Sequence, residues 1–124
     1  MGQRFLIDTN VVIDYLKGTL PWSGMNLINQ IVDDLLLLSV ITKIEALGFP
    51  TSNRLLTDFF DTAIILNLNN KVVNQTINIR KSHKIKLGDA IIAATAMVNS
   101  LTLVTRNVDD FRRIENLEIL NPWE

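Results

Sequence analysis

The sequence predicts a single α/β domain of three layers, in which a mostly parallel sheet of four to five strands lies between helices. Short apolar runs alternate along the chain with segments in which apolar residues recur at helical spacing, a pattern typical of β-α-β units. One run, LLLLSV, is nearly all apolar, as expected for a strand covered on both faces. A chain of 124 residues is long enough to bury a core and fits one domain spanning residues 1–124.

The first part of the chain predicts one strand and two helices. Residues 4–7 (RFLI) form a short buried strand. Residues 10–17 then place their apolar side chains on one helical face, and Gly18 ends this helix. Pro21 opens a second helix, in which the apolar residues at helical spacing are Leu27, Ile28, Ile31 and Val32.

A second strand and two further helices follow. Residues 35–40 (LLLLSV) predict the strand, and residues 39–47 predict a helix that Gly48 and Pro50 end. The next helix is indicated by four apolar side chains at helical spacing, which are Leu55, Leu56, Phe59 and Phe60.

The rest of the chain continues the alternation. Residues 64–68 predict a third strand, and residues 70–84 predict a helix. The apolar side of that helix is expected to carry Val72, Val73, Ile77 and Ile79. Residues 89–99 form a nearly all-apolar helix, which we expect to be central. The last predicted elements are a strand at 101–105, a short helix at 108–113 and a fifth strand at 117–120.

The composition excludes several kinds of site. The chain has no cysteine and one histidine, so a metal would have to be bound by oxygen ligands. A net charge of −1 provides no global basic surface, so any contact with nucleic acid would depend on a local patch or a partner. No stretch approaches membrane-spanning length and no secretory leader pattern is present, so we expect a cytoplasmic protein without membrane contact.

Four acidic segments are distributed over these elements. Asp8 follows the first strand, Glu45 lies in a helix, Asp89 begins the apolar helix, and residues 107–110 follow the fourth strand. The carboxyl ends of parallel strands line one crevice in an open α/β sheet. Because a buried carboxylate needs a compensating cation or donor, the four segments together predict a divalent-metal site at this edge.

Each of these residues also has a structural interpretation. The sequence Asp8-Thr9-Asn10 suits an N-cap or turn before the helix that follows it, because all three residue types are common there. Both roles are compatible, since Thr9 or Asn10 can cap the helix while Asp8 binds metal. Asp89 and the 107–110 segment suit helix caps as well, and Glu45 fits an exposed helix position.

Basic and aromatic residues near these segments are open to two interpretations. Arg106, Arg112 and Lys86 are candidate contacts for phosphate groups, although a solvated basic surface is the commoner explanation for such residues. Trp22 and Trp123 fit packing or interface positions better than base-stacking platforms.

The four segments read LIDTNVVIDYL, SVITKIEALG, KLGDAIIAATA and LVTRNVDDF. In this order and spacing they resemble the PIN-domain ribonucleases, and among these the VapC-type toxins of bacterial toxin–antitoxin pairs. The resemblance covers nearly the whole chain. It implies an endoribonuclease that hydrolyses RNA phosphodiester bonds with Mg²⁺ or Mn²⁺. It also implies a cognate antitoxin protein as partner, and a homodimer or a hetero-oligomer with that antitoxin.

The resemblance also assigns roles to individual residues. Asp8, Glu45 and Asp89 match the metal-binding acids of the family. The fourth family position falls on Asn107, which carries no charge, so Asp110 is the candidate to supply the missing carboxylate. The polar positions with a supporting role in the family correspond to Thr9, Asn10, Thr105 and Asn107.

Two other functions fit parts of the pattern. Aspartyl-nucleophile phosphatases also carry an aspartate after the first strand, but Asn10 stands where their D-x-D pattern needs an acid. A catalytically weak or inactive PIN-fold regulator that binds RNA or protein is the other alternative. Asn107 favours it, whereas the three retained acids argue against it.

Overall fold

The computed structural model describes residues 2–50 and 53–124 and contains a five-stranded sheet with strand order β3-β2-β1-β4-β5. All four strand pairs are parallel. The strands are β1 (Phe5–Ile7), β2 (Leu37–Ser39), β3 (Ile64–Leu66), β4 (Thr102–Val104) and β5 (Ile119–Leu120). This sheet confirms the predicted fold class, including its parallel strands.

Seven helices lie within the described residues. They are α1 (Thr9–Lys17), α2 (Trp22–Asp34), α3 (Val40–Leu47), α4 (Arg54–Asp61), α5 (Asn70–Ser82), α6 (Leu87–Val98) and α7 (Val108–Phe111). Four of them begin where a side-chain oxygen accepts a backbone N–H of the first turn, which satisfies one of the unpaired donors there. The capping residues are Asp8, Ser39, Asn53 and Asn69. None of the described helices is long and apolar enough to span a lipid bilayer.

Both faces of the sheet are covered by helices. In β1, Leu6 belongs to a core shared with α5 and α6, and Ile7 belongs to a core shared with α1, α2 and α4. Leu103 and Val104 of β4 alternate in the same way. Successive strand residues point to opposite faces, so an all-apolar strand requires a helical layer on each side.

Helix α5 differs from its predicted apolar pattern. Val72 and Ile79 are buried, but Val73 and Ile77 are 37% and 47% exposed, and the third buried position is Thr76. The Thr76 hydroxyl donates to the Val72 carbonyl oxygen at 2.7 Å. This bond within the helix satisfies the hydroxyl, so a threonine can occupy a core position that the sequence pattern assigned to an aliphatic residue.

Helix α6 begins at Leu87, earlier than predicted, so Asp89 lies in its first turn and is not the N-cap. The N-cap position is Lys86, which makes no capping bond with its side chain. Residues 90–96 are all buried, which confirms the expected central position of this helix. The interpretation of Asp89 as a helix cap is therefore wrong.

The sheet contains a point at which the strand order reverses. After β1 the chain builds β2 and β3 on one side and then places β4 and β5 on the other. The loops that leave the two central strands diverge at such a point and open a crevice at their carboxyl ends. Asp8 follows β1 and Thr105 follows β4, so both residues lie at this crevice.

Candidate active site

Asp8 is a buried carboxylate held by two hydrogen bonds. Its Oδ1 accepts the Thr9 backbone N–H and its Oδ2 accepts the Thr105 hydroxyl, both at 2.8 Å. Burial raises the pKa of Asp8, the two hydrogen bonds oppose that rise, and the charge of Glu45 adds to it. Asp8 itself is thus the N-cap of α1, one of the three residues that the sequence offered for this position.

Thr105 joins the ends of the two central strands. It is fully buried, and its hydroxyl also accepts the backbone N–H of Asn107 at 3.0 Å. Beside it, the backbone N–H of Asp8 donates to the Val104 carbonyl oxygen at 2.9 Å. These bonds fix the orientation of the Asp8 carboxylate relative to the 105–107 segment.

Glu45 reaches the same crevice from α3. Its Oε1 accepts the Thr9 hydroxyl at 2.7 Å, and that hydroxyl also lies 3.1 Å from the hydroxyl of the fully buried Thr42. The sequence analysis missed Thr42, although its position one turn before Glu45 places both on one helical face. Helix α6 approaches closely here, since a Cβ at Gly88 would lie 3.1 Å from Glu45 Oε2.

Asp89 carries the largest electrostatic perturbation in the crevice. Its pKa is raised to about 6, mainly by burial and also by the charges of Asp8, Glu45 and Asp110, while the charge of Lys86 lowers it. Within the described residues no side chain or backbone group donates a hydrogen bond to its carboxylate. Charges act on one another in this way only at short range, so all four acidic segments converge on one region.

Asn107 and Asp110, the two candidates for the fourth position, contact each other. The amide nitrogen of Asn107 donates to Asp110 Oδ2 at 2.6 Å. Asp109 lies instead in an exposed ion pair with Arg112 at 3.4 Å, an arrangement that contributes little to stability. The two arginines predicted to contact phosphate thus differ in position. Arg106 lines the crevice, whereas Arg112 belongs to this surface pair.

A polar cleft of about 600 Å³ opens beside Asp8. The side chains that line it are Asp8, Asn10, Ile13, Asp14, Lys17, Arg106 and Asn107. The sequence analysis did not single out Asp14 or Lys17. Their spacing from Asn10 along α1 is the signal that would have found them, because it places the three on one helical face.

The donor set of the crevice suits a hard divalent cation. It consists of carboxylates, hydroxyls and one amide, which are the oxygen ligands that Mg²⁺ and Mn²⁺ prefer. As the side chains stand, the described residues contain no group of three or more acids or histidines that could hold an ion. Mg²⁺ needs fewer, since one or two carboxylates suffice when water and substrate phosphate complete its shell.

Comparison with known proteins gives consistent results. A family model described as "PIN domain" matches residues 5–117. The chain is 32% identical over 120 residues to "Ribonuclease VapC10" of Mycobacterium tuberculosis, which covers 91% of this chain and 90% of that protein.

Solved structures share the fold over nearly the whole length. A toxin-antitoxin complex from Klebsiella pneumoniae contains a chain that is 29% identical, with a TM-score of 0.74 and coverage of 96% of this chain and 98% of that chain. A chain of the DNA-bound VapBC from Salmonella typhimurium is 24% identical, with a TM-score of 0.81 and coverage of 98% and 99%.

Proposed function

This chain belongs to the PIN-domain family, among the ribonucleases of the VapC type, and we propose that it hydrolyses RNA phosphodiester bonds at the crevice beside Asp8. The observation that supports this site best is geometric: Thr9 donates its backbone N–H to Asp8 and its hydroxyl to Glu45, and Glu45 lies against Gly88, next to Asp89. The raised pKa of Asp89, to which the charges of Asp8, Glu45 and Asp110 contribute, agrees with this arrangement. Capping of α1 explains the position of Asp8 alone, but not the approach of Glu45, Asp89 and Asp110 to it. A binding site for a cation gives these acids a common role.

We assign Asp8, Glu45 and Asp89 to a Mg²⁺ or Mn²⁺ ion, with Asn107 and Asp110 at the fourth position. When bound, such an ion promotes deprotonation of the attacking water and offsets the charge that develops on the phosphate. The chain's own residues position this chemistry: Thr9 and Thr105 orient the Asp8 carboxylate, and the Thr9 hydroxyl orients Glu45.

The RNA backbone would be bound by basic residues around the acids. Arg106 lines the cleft beside Asp8, and Lys86 lies close enough to Asp89 to lower its pKa. Arg112 would contribute only if its surface pair with Asp109 opens. Because the crevice is acidic, a phosphate can approach only where these cations and the metal ion offset the repulsion.

We further propose that the chain is the toxin of a toxin–antitoxin pair and acts in the cytoplasm. An apolar groove of about 340 Å³ contains the exposed Phe49 and Leu55, and Ile13 and Lys17 line both this groove and the polar cleft. An antitoxin segment with apolar side chains in the groove would therefore be able to extend an arginine or lysine to Asp8. Relief of toxicity on co-expression of the antitoxin, and weaker binding at high salt, are the expected results.

A homodimer is also proposed, with helices from the first half of the chain forming much of the contact. Of these helices, α3 and α4 contact each other, and their exposed apolar residues include Ile44 and Leu55, at 61% and 57%. Such surfaces are typical of contacts between protein chains. Light scattering of the purified chain at micromolar concentration should give a dimer mass, and a monomer mass would reject this arrangement.

Cleavage of RNA by the purified chain tests the catalytic proposal. Activity should require Mg²⁺ or Mn²⁺, disappear in EDTA, and be weak in Ca²⁺, which positions water less strictly. Asp8→Asn and Asp89→Asn should each reduce cleavage by at least about a hundredfold, because each removes a metal ligand. The matched control is Asp109→Asn, which should retain activity because Asp109 lies in the surface ion pair.

Three results would contradict this proposal. Full activity in the chelator would exclude the metal-dependent mechanism. Hydrolysis of a chromogenic phosphate monoester without cleavage of RNA would favour a phosphatase, and binding of RNA without any hydrolysis would favour the inactive regulator.

A further inference from the structure

We propose that Trp123 is a positioning residue for RNA binding: its ring holds the Arg106 guanidinium on the wall of the polar cleft, where Arg106 binds a backbone phosphate adjacent to the cleaved bond. This inference rests on the proposed ribonuclease function. Its basis is the contact between the two side chains, in which Arg106 Cζ lies 4.5 Å from the centroid of the Trp123 ring. That distance is well within the range of a cation–π contact.

Arg106 is available to a ligand on the cleft side. It follows Thr105 at the carboxyl end of β4 and lines the cleft together with Asp8 and Asn107, while Lys17 of α1 lines the same cleft. Arg106 is exposed, and in residues 2–50 and 53–124 it forms no ion pair. Its positive charge is therefore not already neutralised by a carboxylate of the protein.

Trp123 is held firmly enough to fix another side chain. Its ring is partly buried against the core shared with α1, α2 and α4, and its backbone N–H donates to Asn121 Oδ1 at 2.9 Å. The preceding Pro122 is buried, and a Cβ at Gly24 would overlap the Pro122 carbonyl oxygen. The turn that carries Trp123 is thus docked closely on α2, at a position that only a glycine leaves open.

The stacked geometry suits phosphate binding. A guanidinium is planar, so a ring that covers its face leaves the N–H donors at its edge free to form paired hydrogen bonds with phosphate oxygens. An arginine that is ordered before the RNA binds also loses less conformational freedom on binding. The ring face that contacts Arg106 is not free for base stacking, so Trp123 would act through Arg106.

The test measures binding of a short, fluorescein-labelled single-stranded RNA of mixed sequence by anisotropy, in an Asp89→Asn background that prevents cleavage. Arg106→Gln should weaken binding about fivefold and reduce the slope of log K against log salt by about 0.7, as expected for the loss of one phosphate contact. Trp123→Leu should weaken binding about threefold, and Trp123→Phe, which retains a ring face, should weaken it less.

The double variant Arg106→Gln, Trp123→Leu shows whether Trp123 affects RNA binding through Arg106 or independently of it. If Trp123 acts through Arg106, the double variant should bind as well as Arg106→Gln alone. Trp22→Leu is the matched control, because Trp22 is 80% exposed and lies outside the cleft lining, and it should leave binding unchanged. If Trp123→Leu melts below the assay temperature, Trp123→Met takes its place in the same cycle.

The outcomes separate this inference from the ribonuclease proposal. If the wild-type chain neither cleaves nor binds RNA, the proposed function itself is rejected. If the wild-type chain cleaves RNA and either Trp123→Leu has no effect or its effect is the same with and without Arg106, the positioning role of Trp123 is overturned and the function stands.

Discussion

Asp8 and Asp89 lie in the same acidic crevice, but the chain holds their carboxylates in opposite ways. Asp8 is 5% exposed and accepts hydrogen bonds from Thr9 and Thr105. Asp89 is half-buried, accepts no hydrogen bond from the described residues, and has a pKa of about 6. The junction of β1 and α1 therefore presents a carboxylate of fixed orientation, whereas the start of α6 presents one whose charge depends on what is bound nearby.

The largest expected difference between the two acids is in stability, because substitution of either one should abolish cleavage. The folded-state pKa of Asp89 lies above the ordinary aspartate value of 3.8, so its charge destabilises the folded state, and this cost is complete above about pH 6. Asp89→Asn should therefore raise the melting temperature near neutral pH, and this gain should disappear as the pH falls from about 6 to about 4.

Asp8→Asn should raise the melting temperature less than Asp89→Asn does, or lower it. Burial raises the pKa of Asp8 too, so its substitution also removes an unfavourable charge. The new amide, however, has only one acceptor oxygen, which leaves the Thr105 hydroxyl hydrogen without its partner. Thermal melts of the two variants at about pH 7.5 and about pH 4 make the comparison. Equal gains for both would mean that the bonds to Asp8 contribute nothing to its position.

Thr105→Val tests how the hydrogen bonds that hold the Asp8 carboxylate contribute to activity, without changing a charge. Valine has a similar shape but removes the donor to Asp8 Oδ2 and the acceptor of the Asn107 N–H. Leaving these buried groups unpaired should cost about 1–3 kcal/mol of the free energy of unfolding. Cleavage should fall about tenfold, because the group that orients Asp8, the proposed metal ligand, is lost.

Thr102→Val is the control on the same strand. Its hydroxyl accepts the Gln3 amide and donates to Glu118, and neither partner lines the cleft beside Asp8. This variant should lose stability but retain cleavage and Mn²⁺ affinity. Equal loss of cleavage in both variants would show that Thr105 affects activity only through the stability of the fold.

Metal binding should depend on pH through the protonation of Asp89. A carboxylate binds a cation in its deprotonated form, so protons compete with Mn²⁺ at Asp89 below about pH 6. The apparent Mn²⁺ affinity should fall about fivefold between pH 6 and 5 if one proton is displaced from a group whose pKa is about 6. Calorimetric titration of the wild type and Asp89→Asn checks this, and an affinity that stays constant down to pH 5 would contradict the assignment of Asp89.

The positions of Asp8 and Thr105 could be predicted from the sequence because the signals for them are local. The apolar run before Asp8 predicted β1, and the polar residues directly after it predicted a position at the carboxyl end of the sheet. The same logic predicted the place of Thr105 after β4. Strand ends in a parallel sheet share one edge, so the positions of both residues followed from the alternation of apolar and polar segments alone.

The features that the sequence did not reveal depend on contacts that no spacing encodes. Thr76 takes a core position because its hydroxyl is satisfied within α5, and a hydropathy pattern does not record that bond. Aspartate is a typical N-cap residue, yet α6 starts at Leu87, so tertiary context determined where this helix begins. The contact of Arg106 with Trp123 joins segments that follow different strands, and only the docked turn brings them together.

The smallest expected effect concerns the fourth position, where two adjacent aspartates differ in their surroundings. Asp110 accepts the Asn107 amide at 2.6 Å, and its charge contributes to the raised pKa of Asp89. Asp109 lies in the exposed pair with Arg112. Of the two, only Asp110 is among the acids whose charges raise the pKa of Asp89.

Asp110→Asn should therefore weaken apparent Mn²⁺ affinity by a few-fold and lower the pKa of Asp89, whereas Asp109→Asn should change neither. The effect should be small because Asp110 is exposed and water screens its charge. Asn107→Asp adds a carboxylate beside Asp110, so it should tighten Mn²⁺ binding above about pH 7 while raising the pKa of Asp89 further. Mn²⁺ titration of the three variants over this pH range measures both quantities. If Asp110→Asn and Asp109→Asn are equally silent, the site works with Asp8, Glu45 and Asp89 alone, and the Asn107 oxygen and water fill the remaining positions.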